Sequence, residues 1–352
     1  TPIGTTGYGR GWAGHFDGKG HTVSGLKVES DTYNQGLFGY VNGGVIENLT
    51  VKGEVKGGGT TSSGGVGGIA GTVNGESLIR NCVNYAAVSG VNNVGGIVGV
   101  VTGSSEKTVE CCANYGAISG NNSVGGLIGN FYYKGVLKDS YNRGDVTASV
   151  SKAGGIVGYM DDGNASAANC YTTGNVTGGT DSAPAVGKKS SGTVKDLYYL
   201  DTLGSDPNAT AKTETEMKDA GFASLLGEAF SQDMETPVND GYPIFAFQDT
   251  TPKYTVTFTV SPADAAFELQ DGTGAAIAGK ESEEENSTKV WTFSLRDGTY
   301  SYTASAFGKT EQTGSVTVDG VAVSKEVTLA EAQKTDVTFQ ITFADGNPGE
   351  VT

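Results

Sequence analysis

Aromatic side chains are the residues of this sequence best suited to binding chemistry. Tyr85 and Tyr115 occupy equivalent positions in adjacent copies of a repeat, and Tyr132 and Tyr133 are neighbours in a predicted loop. Aromatic rows on a rigid surface can stack on sugars or peptides, although stacked rings also stabilise the wall of a repeat protein directly. We interpret these four tyrosines as candidate ligand-binding residues, with wall packing as the alternative.

Cysteines form a second candidate group. Cys82, Cys112 and Cys170 fall at one position of the repeat, where another copy has Ser140. No Cys-x-x-Cys pair indicates a zinc or redox site. A ladder of small buried side chains explains the position best, and a Cys82–Cys112 disulfide or a metal site are the alternatives. Cys111 lies one residue away, so we expect it to face the other side of its strand.

Catalytic constellations are missing from the sequence. His15 and His21 both lie in the first repeat, where only Asp17 could serve as a further ligand or proton carrier. Arg80 and Arg143 occupy different repeat positions, so they need not share the single face that cleavage of an acidic polysaccharide would require. There is no Gly-x-Ser-x-Gly nucleophile motif. The sequence therefore predicts a protein that is not an enzyme and has no catalytic residues.

Two acidic segments are candidates for calcium binding. Asp161–Asn164 lacks the Asp-x-Asp-x-Asp-Gly spacing of a calcium loop, and Glu281–Glu285 is typical of a solvated hairpin loop. We predict no cofactor and no metal site, and calcium is the one cofactor left open.

Composition and charge exclude several partners. The 352 residues include 56 Gly and 8 Pro and carry a formal net charge of −16, which favours strands and turns and disfavours anionic partners. With four Arg in the chain, nucleic acid is a poor partner. No apolar run approaches the length of a membrane span, so no membrane insertion is predicted for this segment. We expect the chain, which starts at Thr1 and stops at the opening of a strand region, to be a segment of a longer polypeptide.

A repeat of about 30 residues dominates the first two thirds of the chain. Four copies of Gly-Gly-aliphatic-aliphatic-Gly stand at 67–71, 95–99, 125–129 and 154–158, with weaker copies before and after. Such a unit cannot bury its own apolar face, but stacked units form a continuous core. The sequence predicts an all-β protein with a β-solenoid of about six coils. The glycines are expected where the interior is narrow or another backbone approaches closely.

Two further positions recur in the repeat and are both predicted to face inward. The first position is occupied by Leu49, Cys82, Cys112, Ser140, Cys170 and Leu197. Six residues later stand Val55, Val88, Ile118, Val146 and Val176. Between the two lie the corner segments 84–86, 114–116, 142–144 and 172–174, whose Asn and Gly residues are expected to supply the positive φ of a sharp turn.

The remaining chain is predicted to contain a cap and two β modules. A helix over residues 213–230 is expected to close the C-terminal end of the solenoid, which we place at 1–250. Residues 251–332 alternate with a period of two and contain Asp-Gly turns, which predicts a small β-sandwich. Residues 333–352 are expected to begin a further β module, truncated at the end of the chain.

The repeat resembles known proteins. The Gly-Gly-Ile-Val-Gly and Asn-Cys-Val-Asn-Tyr patterns, with the segment Phe16–Leu26, resemble GLUG-motif proteins, and this resemblance covers about residues 15–248. The segments 261–265, 297–300 and 306–309 resemble PEGA-like or carboxypeptidase-regulatory-like modules. The GLUG resemblance implies a large secreted or wall-attached bacterial protein, in some cases an adhesin, or an accessory segment of an IgA-cleaving metallopeptidase.

The resemblance and the missing catalytic groups lead to one functional expectation. We expect a non-enzymatic, adhesin-like scaffold that is extracellular, on the cell surface or attached to the cell wall. Its partner would be a host glycan, a host protein or a cell-wall component. The alternative is the accessory, non-catalytic region of a large secreted enzyme, for example an IgA-peptidase-like metallopeptidase.

Overall fold

A computed structural model of the chain describes residues 1–4, 11–32, 34–58, 64–233, 238–248, 252–272, 274, 276–282, 287–333, 341–342 and 348–349. The chain divides into two units, Thr1–Asp249 and Thr250–Thr352. The predicted fold class is confirmed, because the first unit is a β-solenoid of about six coils and the second consists of small sheets. Among the described residues, no helix is long and apolar enough to cross a membrane.

The first wall of the solenoid is a parallel sheet with one strand per coil. Equivalent residues of successive repeats pair in register, as Val98 does with Ala70 on one side and Ile128 on the other. The strands are Phe38–Asn42, Ala70–Asn74, Val98–Val101, Ile128–Phe131, Val157–Met160 and Val186–Lys189.

The second and third walls belong to one larger parallel sheet that bends at a corner. Val45–Gly57 is a long strand that contributes to both walls. The second wall further contains His15–Asp17, Leu78–Asn84, Thr108–Glu110, Ala113–Asn114, Gly135–Asn142, Ala165–Thr172, Thr193–Leu200 and Thr210–Lys212. The third wall contains Thr22–Ser30, Val66–Gly67, Ala87–Gly90, Asn92–Gly95, Ile118–Gly125, Val146–Gly154 and Val176–Thr180.

Both recurring positions lie inside, but they enter different cores. The larger core lies between the first and second walls and contains Leu49, Cys82, Cys112 and Cys170 in one ladder, with Ser140 between the last two. The second set, Val55 to Val176, packs in a smaller core within the bend of the third wall. The cysteines are free, which excludes the Cys82–Cys112 disulfide in this structure. Cys111 packs on the opposite side of the strand, as predicted.

The prediction that the corner segments supply positive φ is wrong. None of the corner segments 84–86, 114–116, 142–144 and 172–174 has a positive φ. Left-handed backbone instead occurs one residue before the cysteine ladder in every coil, at Asn48, Asn81, Cys111, Asp139, Asn169 and Asp196. The corner asparagines instead form hydrogen bonds between coils through their side-chain amides.

Buried amides form a ladder along the corner between the second and third walls. Asn84 Nδ2 donates to Asn114 Oδ1 at 2.8 Å, and Asn114 Nδ2 donates to Asn142 Oδ1 at 2.7 Å. Each amide also bonds the backbone two residues further on, as Asn114 does with Gly116. An amide carries both donors and an acceptor, so identical residues can bond each other through the stack.

The Gly-rich motif marks a place where backbones approach closely, as expected from the sequence. A Cβ on Gly125 would lie 2.0 Å from the carbonyl oxygen of Ile128 and 2.7 Å from the amide nitrogen of Gly158. A Cβ on Gly95 would lie 2.0 Å from the carbonyl oxygen of Val98. Only glycine fits this corner of the coil.

An aspartate closes the C-terminal end of the first wall. In the preceding coil the amides of Ile156 and Val157 both donate to the carbonyl oxygen of Ala185. The equivalent amides of Ala185 and Val186 have no further coil, and both donate to Asp206 Oδ2, at 2.9 and 2.7 Å. The carboxylate therefore takes the place of the missing carbonyl and satisfies an otherwise open sheet edge.

The predicted helix over 213–230 is wrong in extent and in position. Two short helices replace it, Glu214–Met217 with Thr213 as N-cap and Ala220–Leu226 with Asp219 as N-cap. The Asp219 side chain accepts the amide hydrogen of Gly221 and so starts a new helix where one continuous helix was expected. The helices pack along the outer face of the second wall and do not lie across the end of the stack, because Phe222 contacts Tyr171 and Tyr198 from successive coils.

We call residues 213–233 and 238–248 the lateral segment. Beyond the helices it contains a short antiparallel pair, Phe230–Ser231 with Ile244–Phe245, and the turn of 3-10 helix Ala246–Gln248. Another such turn, Asp201–Leu203, precedes it.

The second unit has two four-stranded sheets that share one core. One sheet consists of Lys280–Glu281, Lys289–Leu295, Tyr254–Ser261 and Val323–Thr328. The other consists of Ala276–Ile277, Ala266–Gln270, Gly298–Ser305 and Gln312–Val318. Phe258 from the first sheet contacts Phe267 and Tyr302 from the second, which makes the pair a sandwich. The expected further module at 333–352 falls mostly outside the described residues, apart from the paired strands Ile341–Thr342 and Pro348–Gly349.

Replacing Gly125 with alanine is expected to destabilise the first unit by about 3 kcal/mol, because the new methyl group would overlap backbone of two segments. Gly163→Ala is the matched control, since a Cβ there meets only Ser191 Oγ at 3.2 Å. Urea unfolding followed by circular dichroism measures both variants. Equal unfolding midpoints would contradict the close approach of the coils.

Alkaline pH is expected to destabilise the solenoid through the buried Cys170. Burial raises the pKa of Cys170 far above 9.0, the value of a solvated cysteine. The free energy of unfolding therefore does not change with pH through this group well below pH 9. It falls as pH rises above 9, because only the unfolded chain releases this proton.

Cys170→Ser tests this pH dependence, because the equivalent position of the preceding coil already holds Ser140. Between pH 7 and pH 10 the free energy of unfolding of the wild type should fall by about 1.4 kcal/mol more than that of the variant. Urea titrations under reducing conditions measure the difference, and parallel pH profiles would contradict the prediction.

Candidate functional site

Tyr85 and Tyr115 stack in adjacent coils, in agreement with their predicted alignment. Their ring centroids are 4.7 Å apart and the ring planes differ by 9°. Tyr85 is 45% exposed and forms the open end of the row, and Lys52 Nζ lies 5.1 Å from its ring centre. A ligand-binding role for this row stays a prediction.

Tyr115 forms structural contacts in the solenoid wall, which reduce its availability to a ligand. Its hydroxyl group hydrogen-bonds the Tyr141 hydroxyl at 2.9 Å and donates to Asn239 Oδ1 at 3.0 Å. Burial raises the pKa of Tyr115 to about 12. The row therefore offers one exposed ring, that of Tyr85, while Tyr115 connects the corner to the lateral segment.

Tyr132 and Tyr133 form a second, separate aromatic group. They lie in the loop before Gly135–Asn142, at the opposite edge of the second wall from Tyr85. Their rings meet edge to face at 5.2 Å and are 44% and 45% exposed. Both backbone amides donate to the carbonyl oxygen of Val101 in the preceding coil, at 3.0 and 3.3 Å. The structure thus does not bring the four predicted tyrosines into one site.

The lateral segment buries a third aromatic row. Tyr141 and Tyr171 stack at 5.0 Å on the outer face of the second wall, and both are fully buried. The rings that cover this row are Phe222, Phe230 and Phe245. These tyrosines stabilise the wall and are not available to a ligand.

Asn239 connects the lateral segment to the tyrosines, and sequence reasoning missed it. Its Nδ2 donates to the Tyr171 hydroxyl at 2.8 Å and to the carbonyl oxygen of Pro243 at 2.9 Å. Arg143 donates to its backbone carbonyl at 2.9 Å. In the sequence this asparagine precedes Asp240-Gly241, so it gives only the signal of an ordinary turn.

Three side chains considered for catalysis, His15, Arg80 and Arg143, form ion pairs and hydrogen bonds with neighbouring residues. His15 Nε2 lies 2.5 Å from Glu47 Oε1, and Arg80 Nε donates to Glu47 Oε2 at 2.6 Å. These hydrogen bonds, from His15 first and Arg80 second, lower the pKa of Glu47. Arg143 forms an ion pair with Asp240 at 2.7 Å. Both arginines therefore contribute to structural ion pairs on different parts of the surface.

The first of the two acidic segments considered for calcium forms a turn of its own. The Asp162 carboxylate accepts the backbone and side-chain N–H groups of Asn164, which makes Asp161–Asn164 a hydrogen-bonded turn. Residues 283–285 of the second acidic segment lie outside the described residues. Within the described part of the chain, no three His, Cys, Asp or Glu side chains cluster as metal ligands would.

Replacing Asn239 with leucine is expected to loosen the lateral segment. The variant leaves the hydroxyl groups of Tyr115 and Tyr171 and the carbonyl group of Pro243 without this partner, which should cost about 3 kcal/mol. Hydrogen exchange followed by mass spectrometry should show faster exchange in residues 213–233 than in the first two coils.

The neighbouring Val238→Ala is the control for Asn239→Leu, because Val238 is exposed. It should leave exchange of the lateral segment unchanged. If Asn239→Leu also leaves exchange unchanged, Asn239 does not hold the segment in place.

Comparison with known proteins shows a similar fold and a limited sequence match. No family model matches this chain. A stretch of 90 residues, 25% of the chain, is 40% identical to a part of halomucin from Haloquadratum walsbyi that amounts to 1% of halomucin. The crystal structure of a candidate immunoglobulin A1 protease from Bacteroides ovatus is similar with a TM-score of 0.53 at 20% identity, over 71% of this chain and 81% of that one. At this identity, the similarity shows the β-solenoid fold alone.

Proposed function

We propose that this chain is a non-enzymatic, adhesin-like scaffold of a bacterial surface or secreted protein, which binds a glycan or protein of a host or of the cell wall. The GLUG-like repeat supports a surface location. The partial similarity to halomucin and the solenoid likeness to the Bacteroides ovatus structure are consistent with it. An acidic chain with a net charge of −16 favours neutral or basic partners over anionic ones.

The observation that carries the proposal is the exposed tyrosine pair. Tyr132 and Tyr133 present large ring surfaces to solvent, although burial is the usual source of stability from an aromatic side chain. The two hydrogen bonds to Val101 attach their backbone to the rigid coil stack. Rings held in this way lose little conformational freedom on binding, so they are suited to contact a sugar or a peptide.

The structural engagement of the charged side chains supports a role without catalysis. Glu47 is shared by His15 and Arg80, and Arg143 is bound to Asp240 and Asn239. A general acid or base must instead be able to reach a substrate and exchange a proton. His15, Arg80 and Arg143 are thus better explained as parts of the wall.

A second candidate function is the accessory region of a large secreted enzyme. The likeness to the candidate immunoglobulin A1 protease favours this alternative through its fold. In that case the catalytic domain would lie elsewhere in a longer polypeptide. A zinc-binding His-Glu-x-x-His motif in the full-length gene would support the accessory role, and a wall-sorting tail would support the surface scaffold.

The double variant Tyr132→Ala, Tyr133→Ala is expected to weaken binding of the partner at least tenfold, because it removes two stacking surfaces. The measurement is binding of the purified chain to a glycan array and to immobilised cell-wall and host-matrix proteins. Phe307→Ala is the control, since it removes an exposed ring from the second unit.

One result would contradict the assigned contact, and another would contradict the proposed function. Unchanged binding by the double variant would exclude the tyrosine pair as the contact. Turnover of any polysaccharide by the wild-type chain would show that the protein is an enzyme.

A further inference from the structure

A cleft of about 340 Å³ opens on the outer face of the second wall at the first two coils. Its lining includes Asp17, Lys19, Asn48, Asn81 and, from the end of the lateral segment, Phe247. The volume falls within the range of about 300–1,000 Å³ that is common for sites of small molecules. These residues lie far apart in sequence, and the folding of the lateral segment along the wall brings them together.

The floor of the cleft is a chain of oriented hydrogen bonds. Asn81 Nδ2 donates to Asn48 Oδ1 at 3.0 Å, and Asn48 Nδ2 donates to Asp17 Oδ1 at 2.9 Å. The backbone amide of Lys19 donates to the same carboxylate oxygen at 2.9 Å. Each side chain is therefore held in one orientation before any ligand arrives.

The two ends of this row of hydrogen-bonded side chains, Asp17 and Asn81, are suited to a ligand with hydroxyl groups. The hydrogen bond from Asn48, followed by that from Lys19, lowers the pKa of Asp17, so its carboxylate is ionised at neutral pH. The second carboxylate oxygen accepts no hydrogen bond from the described residues, and neither does the amide oxygen of Asn81. Two acceptors at the ends of a rigid row match two hydroxyl donors, and bonds to the charged acceptor are the stronger.

The wall of the cleft is an exposed aromatic ring. Phe247 is 58% exposed, and its ring stacks on the buried Phe245 at 5.3 Å with an interplanar angle of 15°. One face of the Phe247 ring is thus supported from behind, and the ring contributes apolar surface to an otherwise polar cleft. Such a surface accepts the C–H groups on one face of a sugar ring.

We propose that this cleft binds a neutral hexose unit of a carbohydrate, with the sugar ring stacked on Phe247 and its hydroxyl groups bonded to Asp17 and Asn81. A pyranose combines an apolar face with hydroxyl donors at its rim, as the cleft combines a ring with acceptors. The ionised Asp17 disfavours an anionic sugar. This site deepens the proposed function, on which it rests, by naming carbohydrate as the ligand class, and it is separate from the tyrosine pair.

Titration with neutral monosaccharides tests the proposal. The probes are glucose, galactose, mannose and N-acetylglucosamine, added to the full chain and followed by isothermal calorimetry and by nuclear magnetic resonance shifts of aromatic protons. At least one sugar is expected to bind the wild type and to shift the Phe247 signals. Phe247→Ala and Asn81→Ala should each weaken it at least tenfold, while Phe247→Tyr should retain binding.

Matched variants separate this site from the tyrosine pair and from unfolding. Tyr132→Ala, Tyr133→Ala should leave monosaccharide affinity unchanged, and thermal melting should show that the cleft variants fold. No binding of any of these sugars, or binding that survives Phe247→Ala, would overturn the cleft proposal. The same holds if a basic peptide, tested in parallel, displaces the sugars as the tighter ligand.

The outcomes for the two proposals are distinguishable. Loss of partner binding only in the tyrosine double variant would leave the proposed function intact and refute the cleft. Loss only in Phe247→Ala would support the cleft and refute the tyrosine pair. Absence of any glycan or protein partner for the wild type would refute both.

Discussion

Stacking of backbone on backbone in constant register is the constraint on which the rest of this molecule depends. Each strand bonds its equivalents in the neighbouring coils, so every side chain lies about 4.8 Å from the same position of the next repeat. At the narrow corner this leaves no space for a Cβ, which is why Gly95 and Gly125 recur. At every other position, the size and chemistry of the side chain are then limited by its contact with the equivalent side chain of the next repeat.

Polar rows show two ways to satisfy this constraint. Amides bond to themselves, because each carries donors and an acceptor, and the ladder from Asn84 to Asn142 remains fully buried. Opposite charges are the second way. Asp17 lies opposite Glu47 in the first coil, and from Glu47 to Lys138 the row on the outer face alternates in charge. Glu47 pairs with Arg80, and Glu110 pairs with Lys138 in the following coils. Neighbouring opposite charges stabilise a sheet, whereas like charges directly opposite destabilise it.

The lateral segment decides which part of the solenoid surface is available. It covers the aromatic row of the later coils, whose exposure would create a large apolar patch. Its last residues, Phe247 and Gln248, lie beside the polar face of the first two coils, and this is where the cleft opens. The candidate contacts for a partner thus lie where the cover stops, and at the loop that carries Tyr132.

The sequence by itself determined the repeating part of this protein: the parallel coils, the cysteine ladder and the alignment of Tyr85 with Tyr115. These follow because a spacing repeated along the chain places equivalent residues next to each other in the stack. The tertiary structure alone decided the packing of the two helices along the second wall, the hydrogen bond of Tyr115 to Asn239, and the meeting of Asp17 and Phe247 at one cleft. Contacts between a repeating wall and a segment that does not repeat leave no periodic signal, since they depend on how that segment folds back through space.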